Sequence, residues 1–231
     1  MWDIVISALP KLLEAMVKYT IPLALLSFTF GIIIAVIVAL IKFLNPKFSG
    51  IVSILWKLLR LLASFYVWVF RSTPLLVQLF IIFFGLPAIG VKLPAFTAAM
   101  IGFSLNTGAY ASETIRSALL SVNKDQWDAA YTLGFSTPQT LWKIIMPQAF
   151  RIVLPPLSNE FIGLVKDTSL ASTITIAEMF QISQQYAAQN YEPLLMYVEV
   201  AALYAMLCTI LSVLQRYLEK KSSRYMKGDE N

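Results

Sequence analysis

The chain has 231 residues, of which 58% are hydrophobic and 13% are charged, and its formal net charge is +5. Soluble domains carry about 25% charged residues, so this composition excludes an ordinary soluble domain and indicates an integral membrane protein. The chain has no histidine and one cysteine, Cys208. We therefore expect no intrachain disulfide, no metal site and no catalysis by a histidine base. The basic residues fall between apolar runs, which indicates membrane topology rather than nucleic-acid binding.

Five apolar segments predict an all-α membrane domain of five transmembrane helices, covering residues 19–218. About 20 helical residues cross the hydrocarbon core of a bilayer, because each residue adds about 1.5 Å. Residues 1–18 are amphipathic and are predicted to lie at the interface as a lead-in, and residues 219–231 are predicted to form a tail. The predicted spans are residues 19–41, 61–84, 95–119, 152–171 and 193–214.

Two of the predicted spans contain prolines. Pro74 lies in the second span, and Pro155 and Pro156 lie in the fourth. Proline lacks an N–H group and its ring clashes with the preceding turn, so we expect the helix to kink or break at these sites. Broken helices expose carbonyl groups that are tolerated only beside protein or water, which favours a polar cavity between the spans.

The distribution of basic residues predicts which end of the chain lies in the cytoplasm, because Lys and Arg are enriched in cytoplasmic loops. One side of the membrane is predicted to hold only Lys11, Lys18 and Lys92. The other side holds the five basic residues after residue 214 and Lys42, Lys47, Lys57, Arg60, Arg116, Lys124, Lys143 and Arg151. The N-terminus is therefore predicted outside, the C-terminus inside, and residues 120–150 in a cytoplasmic loop.

The cytoplasmic loop is polar and is predicted to contain two short helices. Asp128 would lie in the first turn of the first helix, where an acid interacts favourably with the helix dipole. Gly134 occupies the position where a left-handed residue ends a helix. Thr137 precedes Pro138 and is predicted to cap the second helix, which Pro147 would end. Such a loop is suited to be held by a cytoplasmic partner, and an ordered loop without a partner fits these features equally well.

Charged residues lie within or beside the predicted spans at Arg71, Glu113, Glu160, Lys166 and Asp167. A charged side chain at the bilayer centre costs about 2.5–3.5 kcal/mol on insertion scales, so these residues need partners or water. One interpretation is ion pairing, in which Glu113 pairs with Arg116 and the other acids pair with the other basic residues. The alternative is a central polar cavity that admits a charged or zwitterionic solute.

Four stretches of this sequence resemble the amino-acid branch of the ABC importer permeases, over about residues 18–218. Asp128-Ala129-Ala130, followed by Gly134 and Pro147, resembles the EAA loop of that family. The other stretches are Arg71-Ser-Thr-Pro-Leu-Leu-Val-Gln-Leu79, Asn106-Thr-Gly-Ala-Tyr-Ala-Ser-Glu113 with Arg116, and Lys166-Asp-Thr-Ser-Leu170. The chain departs from the family at Asp128, where the family has a glutamate. The charge is kept, but its reach is shorter by one methylene.

The resemblance implies a type I ABC importer permease fold in a permease subunit that is not itself an enzyme. The implied partners are a cytoplasmic ABC ATPase that carries ATP and Mg²⁺, an extracellular solute-binding protein, and a second permease subunit. The residues implied to couple the permease to the ATPase are Asp128, Ala129, Ala130, Gly134 and Pro147. The solute would be an amino acid that crosses the cytoplasmic membrane of a prokaryote by alternating access, along a pathway lined by the five buried charges.

Several alternatives stay open at the level of sequence. A self-standing, ion-coupled secondary carrier is the main one, although the paired repeats typical of such carriers are not visible. An intramembrane hydrolase is disfavoured, because this sequence has no recognisable pair of nucleophile and base. The sequence also leaves open the identity of the amino acid, cystine being one possibility, and the choice between a homodimer and a heterodimer.

Overall fold

The computed structural model of the protein describes residues 2–46 and 49–223, which form helices and turns with no strand. The α-helices in these ranges are Trp2–Ala15 (α1), Ile21–Phe43 (α2), Gly50–Ser72 (α3), Leu75–Phe80 (α4), Ala95–Ser121 (α5), Lys124–Thr132 (α6), Thr137–Thr140 (α7), Met146–Asp167 (α8), Met179–Asn190 (α9) and Pro193–Ser223 (α10). Turns of π-helix cover Met16–Thr20, Ile81–Gly85 and Leu141–Ile145, and 3-10 turns cover Leu86–Ile89 and Thr168–Ile174. The prediction of an all-α fold is confirmed.

Three helical stretches of the described chain are long and apolar enough to cross a membrane: Trp2–Phe43, Gly50–Ser72 and Pro193–Tyr217. The helices α5 and α8 do not meet the same criterion, and both carry several polar or charged residues. The number of spans and the orientation of the termini therefore stay predictions. Lys47, Arg224 and Lys227, which contributed to the predicted orientation, lie outside the described residues.

The observed helix bounds differ from the predicted spans at both ends of the chain. Residue 18 is not a boundary, because α1 continues through a π-helical turn into α2 and the whole stretch Trp2–Phe43 is one apolar helix. The buried residues Ala8 and Leu12 of the predicted lead-in pack with residues of α9 and α10. At the other end, α10 continues to Ser223, so the first five residues of the predicted tail are helical.

The helices that contain the predicted second and fourth spans begin before those spans do. The helix α3 begins at Gly50 rather than near residue 61, and it ends just before Pro74. The helix α8 begins at Met146 and runs through Pro155 and Pro156 to Asp167. The prediction of a break at Pro155 and Pro156 is therefore wrong, whereas the predicted break at Pro74 is confirmed.

The centre of the fold is the pair α2 and α5, which pack closely through small residues. A Cβ atom added to Gly31 of α2 would lie 3.0 Å from the Thr107 side chain of α5. A Cβ atom added to Gly108 of α5 would lie 2.9 Å from the Ile34 side chain of α2. Close approach of this kind is how membrane helices gain packing energy without a hydrophobic driving force. The pair forms a rigid wall against which α3, α4 and α8 are positioned.

Candidate functional site

The Pro74 break creates the opening of a polar chamber. Thr73 and Pro74 both have extended backbone conformations, with ψ angles of 146° and 136°. Pro74 cannot donate to the preceding turn, and its ring disfavours the helical conformation at Thr73, so the helix stops and restarts as α4. The interruption leaves space between the α3–α4 junction, α5 and α8.

This space is a chamber of about 400 Å³, within the range of small-molecule sites. Residues from the helix break, from α5 and from α8 contribute to its walls. The lining residues are Thr73, Pro74, Leu75, Asn106, Thr107, Tyr110, Glu160, Gly163, Leu164, Asp167 and Leu170. Three of the four stretches that carry the family resemblance therefore meet around one cavity.

Two carboxylates of α8, Glu160 and Asp167, line the chamber. They are seven residues apart, so two helical turns place them on one face. One oxygen of Glu160 accepts a hydrogen bond from the Thr114 hydroxyl at 2.6 Å, and the other is buried without a hydrogen-bond partner. Among the described residues, neither acid has a Lys or Arg nitrogen within 4 Å. No direct ion pair of Glu160 or Asp167 is therefore found among the described residues, although the charge of Arg71 acts on Glu160 and that of Lys166 acts on Asp167 from a longer distance.

Arg71 lies beside this chamber rather than in its lining. Its guanidinium carbon lies 5.3 Å from the centroid of the Tyr110 ring, a distance at which a cation is attracted to the ring face. Tyr110 itself lines the chamber. The side chain of Arg71 is exposed, so this charge faces the periphery of the site.

The structure places the other two charged candidates elsewhere. Glu113 accepts hydrogen bonds from Arg116, at 2.8 Å to Nη2, and from Lys42 of α2. The predicted Glu113–Arg116 pair is confirmed, and Lys42 is an additional partner. Lys166 lines a separate crevice beside α10 together with Tyr204 and Cys208. The five predicted pathway residues thus do not share one cavity.

The helix α6 forms the first part of the predicted cytoplasmic loop. Asn123 caps it by accepting a hydrogen bond from the Asp125 N–H at 3.0 Å, so the helix begins earlier than predicted. Asp128 therefore lies near the middle of α6 rather than in its first turn. Its side chain is exposed and, among the described residues, no hydrogen bond or ion pair to its carboxylate is found. Ala129 is exposed, whereas Ala130 is buried against the protein.

Gly134 ends α6 in the predicted left-handed conformation, with a φ angle of +82°. The Gly134 N–H donates to the Tyr131 carbonyl, and the Phe135 N–H donates to the Ala130 carbonyl, both at 3.0 Å. This pattern is the Schellman motif, which satisfies the last carbonyl groups of a helix. A Cβ atom at Gly134 would meet nothing within 4 Å, so the backbone angle is the only constraint that favours glycine.

The second predicted helix of the loop differs at both ends. Ser136, not Thr137, is the capping residue, and its N–H and hydroxyl both donate to Gln139 Oε1 at 2.9 and 3.0 Å. Pro147 does not end this helix, which continues through a π-helical turn into α8. The Met146 N–H donates to the Leu141 carbonyl, and this wider turn accommodates the proline that follows.

The chain was compared with protein families and with proteins of known structure. Residues 48–224 match the family described as "Binding-protein-dependent transport system inner membrane component". The chain belongs to this family. The family resemblance noted from the sequence is therefore confirmed, and the members of this family are membrane permease subunits rather than enzymes.

Individual relatives match nearly the whole chain. The L-cystine transport system permease protein TcyB of Bacillus subtilis is 47% identical, with 97% of this chain and 92% of TcyB covered. A putative glutamine transport system permease protein GlnP of Rickettsia bellii is 35% identical, with coverages of 96% and 98%. The crystal structure of an amino acid ABC transporter with histidines matches with a TM-score of 0.84 at 32% identity, covering 94% of this chain and 96% of that chain.

Two buried polar residues were not singled out from the sequence. Gln78 is 5% exposed and donates hydrogen bonds across the Pro74 break. Glu178, in the segment between the predicted fourth and fifth spans, is fully buried and caps α9. Burial raises the pKa of Glu178 to about 7, although it accepts hydrogen bonds from two backbone N–H groups and from Tyr204. A glutamate immediately before a helix was the available signal, because an acid there can cap the exposed N–H groups.

Proposed function

We propose that this chain is the permease subunit of an ABC importer that moves amino acids into a prokaryotic cell. It crosses the cytoplasmic membrane five times, with its N-terminus outside and its C-terminus inside. A second permease subunit, identical or similar, completes the pathway. A cytoplasmic ATPase supplies the energy from ATP and Mg²⁺, and an extracellular solute-binding protein delivers the amino acid. Family membership and the chamber between α4, α5 and α8 support this proposal.

The observation that carries the substrate assignment is the pair of carboxylates that line the chamber with, among the described residues, no Lys or Arg nitrogen within 4 Å. Glu160 has one oxygen that is buried without a hydrogen-bond partner, and Asp167 lines the same wall. A buried acceptor without a donor is unfavourable, so an ammonium group that reached this oxygen would stabilise the site. Every amino acid carries such a group. The two carboxylates would hold the ammonium end of the solute as it passes.

Among amino acids, L-cystine is the specific candidate, because TcyB is an L-cystine permease protein and is 47% identical. Cystine has an ammonium group and a carboxylate at each of its two ends. Because the two ends of cystine are identical, the two acidic groups on one helix face of the chamber can bind either of them. The candidate is tested against glutamine, the solute named for the GlnP relative.

Coupling to the ATPase is assigned to the exposed side of α6 and the following turn. Asp128, Ala129 and Gly134 are exposed there, and Ala130 fixes the helix to the rest of the protein. Pro147, near the start of α8, is exposed as well. In the proposed cycle, closure of the ATP-bound ATPase favours the outward-facing state and release favours the inward-facing state. The free carboxylate of Asp128 provides a charge that a basic residue of the ATPase can pair with.

The experiment is uptake of labelled amino acid into vesicles that contain the complete transporter and its binding protein. We expect L-cystine uptake that requires ATP, and we expect Glu160→Gln to lower its maximal rate by about tenfold, as loss of one charged contact would. Asn159→Ala is the control, because Asn159 precedes Glu160 on α8 and does not line the chamber. Uptake that continues without the ATPase would instead identify a secondary carrier.

A further inference from the structure

Gln78 lies in α4, one turn beyond the Pro74 break. It is 5% exposed and does not line the chamber, yet its side-chain amide forms hydrogen bonds across the break with residues that precede Pro74, and also with α5. A buried amide has two donor hydrogens and an acceptor oxygen, and all of them need partners. The partners of Gln78 determine how a neighbouring chamber residue is oriented.

The orientation of the Gln78 amide is fixed by groups that can only accept. Its Nε2 atom lies 3.0 Å from the Phe70 carbonyl oxygen, 3.0 Å from the Thr73 carbonyl oxygen and 2.8 Å from the Thr73 hydroxyl. Carbonyl oxygens have no hydrogen to donate, so rotating the amide by 180° would place its oxygen against two other acceptors. Nε2 therefore faces the helix break, and Oε1 faces α5.

The orientation of the Asn106 amide in α5 is fixed in the same way. The Asn106 Nδ2 atom donates to Gln78 Oε1 at 3.0 Å and lies 3.4 Å from the Phe70 carbonyl oxygen. Both partners are acceptors, so a flipped Asn106 would again oppose oxygen to oxygen. Asn106 lines the chamber, and among the described residues no hydrogen bond to its Oδ1 atom is found. Its free polar atom is therefore an acceptor.

We propose that Gln78 is a positioning residue that holds Asn106 with Oδ1 presented to the chamber as a hydrogen-bond acceptor for the ammonium group of the solute. The inference rests on the proposed function and extends it. Asn106 then supplies a third acceptor beside Glu160 and Asp167, from the opposite wall. An asparagine that could rotate would offer its NH₂ group half of the time, and an NH₂ group repels an ammonium.

The kinetic test uses the complete transporter in vesicles, with the loaded binding protein as the varied component. Gln78→Leu should lower kcat for uptake by about tenfold, the size expected for a lost hydrogen bond to a charged group. The concentration of binding protein that gives half-maximal rate should stay unchanged, because docking takes place outside the chamber. Gln215→Leu is the matched control, since Gln215 donates to Asn159 Oδ1 at 3.1 Å in a second Gln–Asn pair that does not line the chamber.

A double substitution separates positioning of Asn106 from bracing of the helix break. If Gln78 acts through Asn106, adding Gln78→Leu to Asn106→Leu should change kcat by less than about twofold, because coupled residues are not additive. A full tenfold loss in that background would show that Gln78 acts by another route, and it would overturn the proposal.

A third variant tests the proposal even if Gln78→Leu does not assemble. In Gln78→Glu, the ionised carboxylate cannot donate to the Phe70 and Thr73 carbonyls, whereas the protonated acid can. Its kcat relative to the unsubstituted transporter should therefore rise as the pH falls from 8 to 5.5. A ratio that is constant over this range contradicts the proposal. Absence of amino acid uptake by the unsubstituted transporter would instead contradict the proposed function, so the two failures are distinguishable.

Discussion

Glu113 joins two helices through a single carboxylate. It pairs with Lys42 of α2 and with Arg116 of its own helix, α5, and the three side chains are 16%, 17% and 31% exposed. Partly buried charges of this kind differ from surface pairs, because removal of one partner leaves the others without compensation in a region that excludes water. The assignment of Glu113 to a solute pathway is therefore less well supported than a role in fixing α2 to α5.

A substitution at Glu113 tests this role. Glu113→Gln should lower the free energy of unfolding by about 2 kcal/mol, because Lys42 and Arg116 lose their counter-charge and repel each other. The measurement is the midpoint of thermal unfolding of the purified permease in detergent. Glu14→Gln is the control, since Glu14 pairs with Lys11 and Lys18 on an exposed surface, where no change in the midpoint is expected. Equal effects of the two substitutions would contradict the structural role of Glu113.

Glu178 gives a pH-dependent prediction. Burial raises its pKa from 4.5 to about 7, so the folded protein binds this proton more tightly than the unfolded chain. Its stabilising contribution is complete below pH 4.5 and is lost as the pH rises through 7. Relative to Glu178→Gln, which does not titrate, the unsubstituted protein should lose about 2 to 3 kcal/mol of stability between pH 5 and 8.

The measurement for Glu178 is the thermal midpoint of both proteins across that range. Tyr204→Phe provides a second arm, because the Tyr204 hydroxyl donates to Glu178 at 2.8 Å and lowers its pKa. Removal of that hydroxyl should shift the loss of stability to higher pH. A midpoint difference that does not depend on pH would show that Glu178 keeps its ordinary pKa.

Spacing along the sequence predicted a pair of residues on one helix face, but it could not predict a partner that is distant in the sequence. The Glu113–Arg116 pair follows from a separation of three residues on one helix face. Lys42 is 71 residues away, and only the packing of α2 on α5 brings it to Glu113. The cap at Ser136 did have a signal, because a serine followed three residues later by a glutamine is the pattern of a capping box.

At the scale of single elements, whether a proline interrupts its helix depends on the residues packed around it. At Pro74 the helix breaks, and Gln78 satisfies the carbonyl groups of Phe70 and Thr73 that the break leaves free. At Pro155 and Pro156 the helix continues, and the neighbouring Val153 is buried in the cluster that joins α2, α5 and α8. The local rule favoured a break at both sites, and tertiary packing overrides it in α8.

The C-terminus of α6 provides a test of coupling. Gly134→Val should impair the Schellman motif, because a β-branched residue is strongly disfavoured at a φ angle of +82°. We expect ATP hydrolysis stimulated by the loaded binding protein to fall by about tenfold, with the permease still present in the membrane. Gly134→Asn is the control, since asparagine adopts left-handed angles more readily, and it should keep most of the activity. Full stimulation in Gly134→Val would argue against α6 as the coupling element.

At the scale of the whole molecule, the predicted topology can be tested by labelling. Cys208 is the only cysteine, so Cys208→Ser gives a background without thiols. Ile89 and Leu133 are 75% and 76% exposed and lie on opposite sides of the predicted membrane. In this background, Ile89→Cys should react with a membrane-impermeant maleimide in intact cells. Leu133→Cys should react only after permeabilisation. The reverse pattern would invert the predicted orientation.

The all-helical architecture could be predicted because long apolar segments extend over many residues, so an error at a few positions does not change the prediction. The composition of the chamber could not, because it depends on how each helix is rotated about its axis. Glu113 and Glu160 are both acids in helices that contact each other, and from the sequence both were equally good candidates for the solute pathway. The structure turns one toward Lys42 and the other toward the chamber. No periodicity in an apolar helix specifies that rotation.

The helix that continues past Pro147 links the predicted cytoplasmic loop to the chamber. From Thr137 to Asp167 the chain is helical without interruption, a length of about 45 Å at 1.5 Å per residue. One end belongs to the predicted cytoplasmic loop, and the other carries Glu160 and Asp167. If this stretch tilted as a rigid body by about 5° at Thr137, its far end would move by about 4 Å. The π-helical turn at Leu141–Ile145 departs from the regular helical hydrogen bonding, so bending at this turn would reduce the movement of the Glu160 and Asp167 carboxylates.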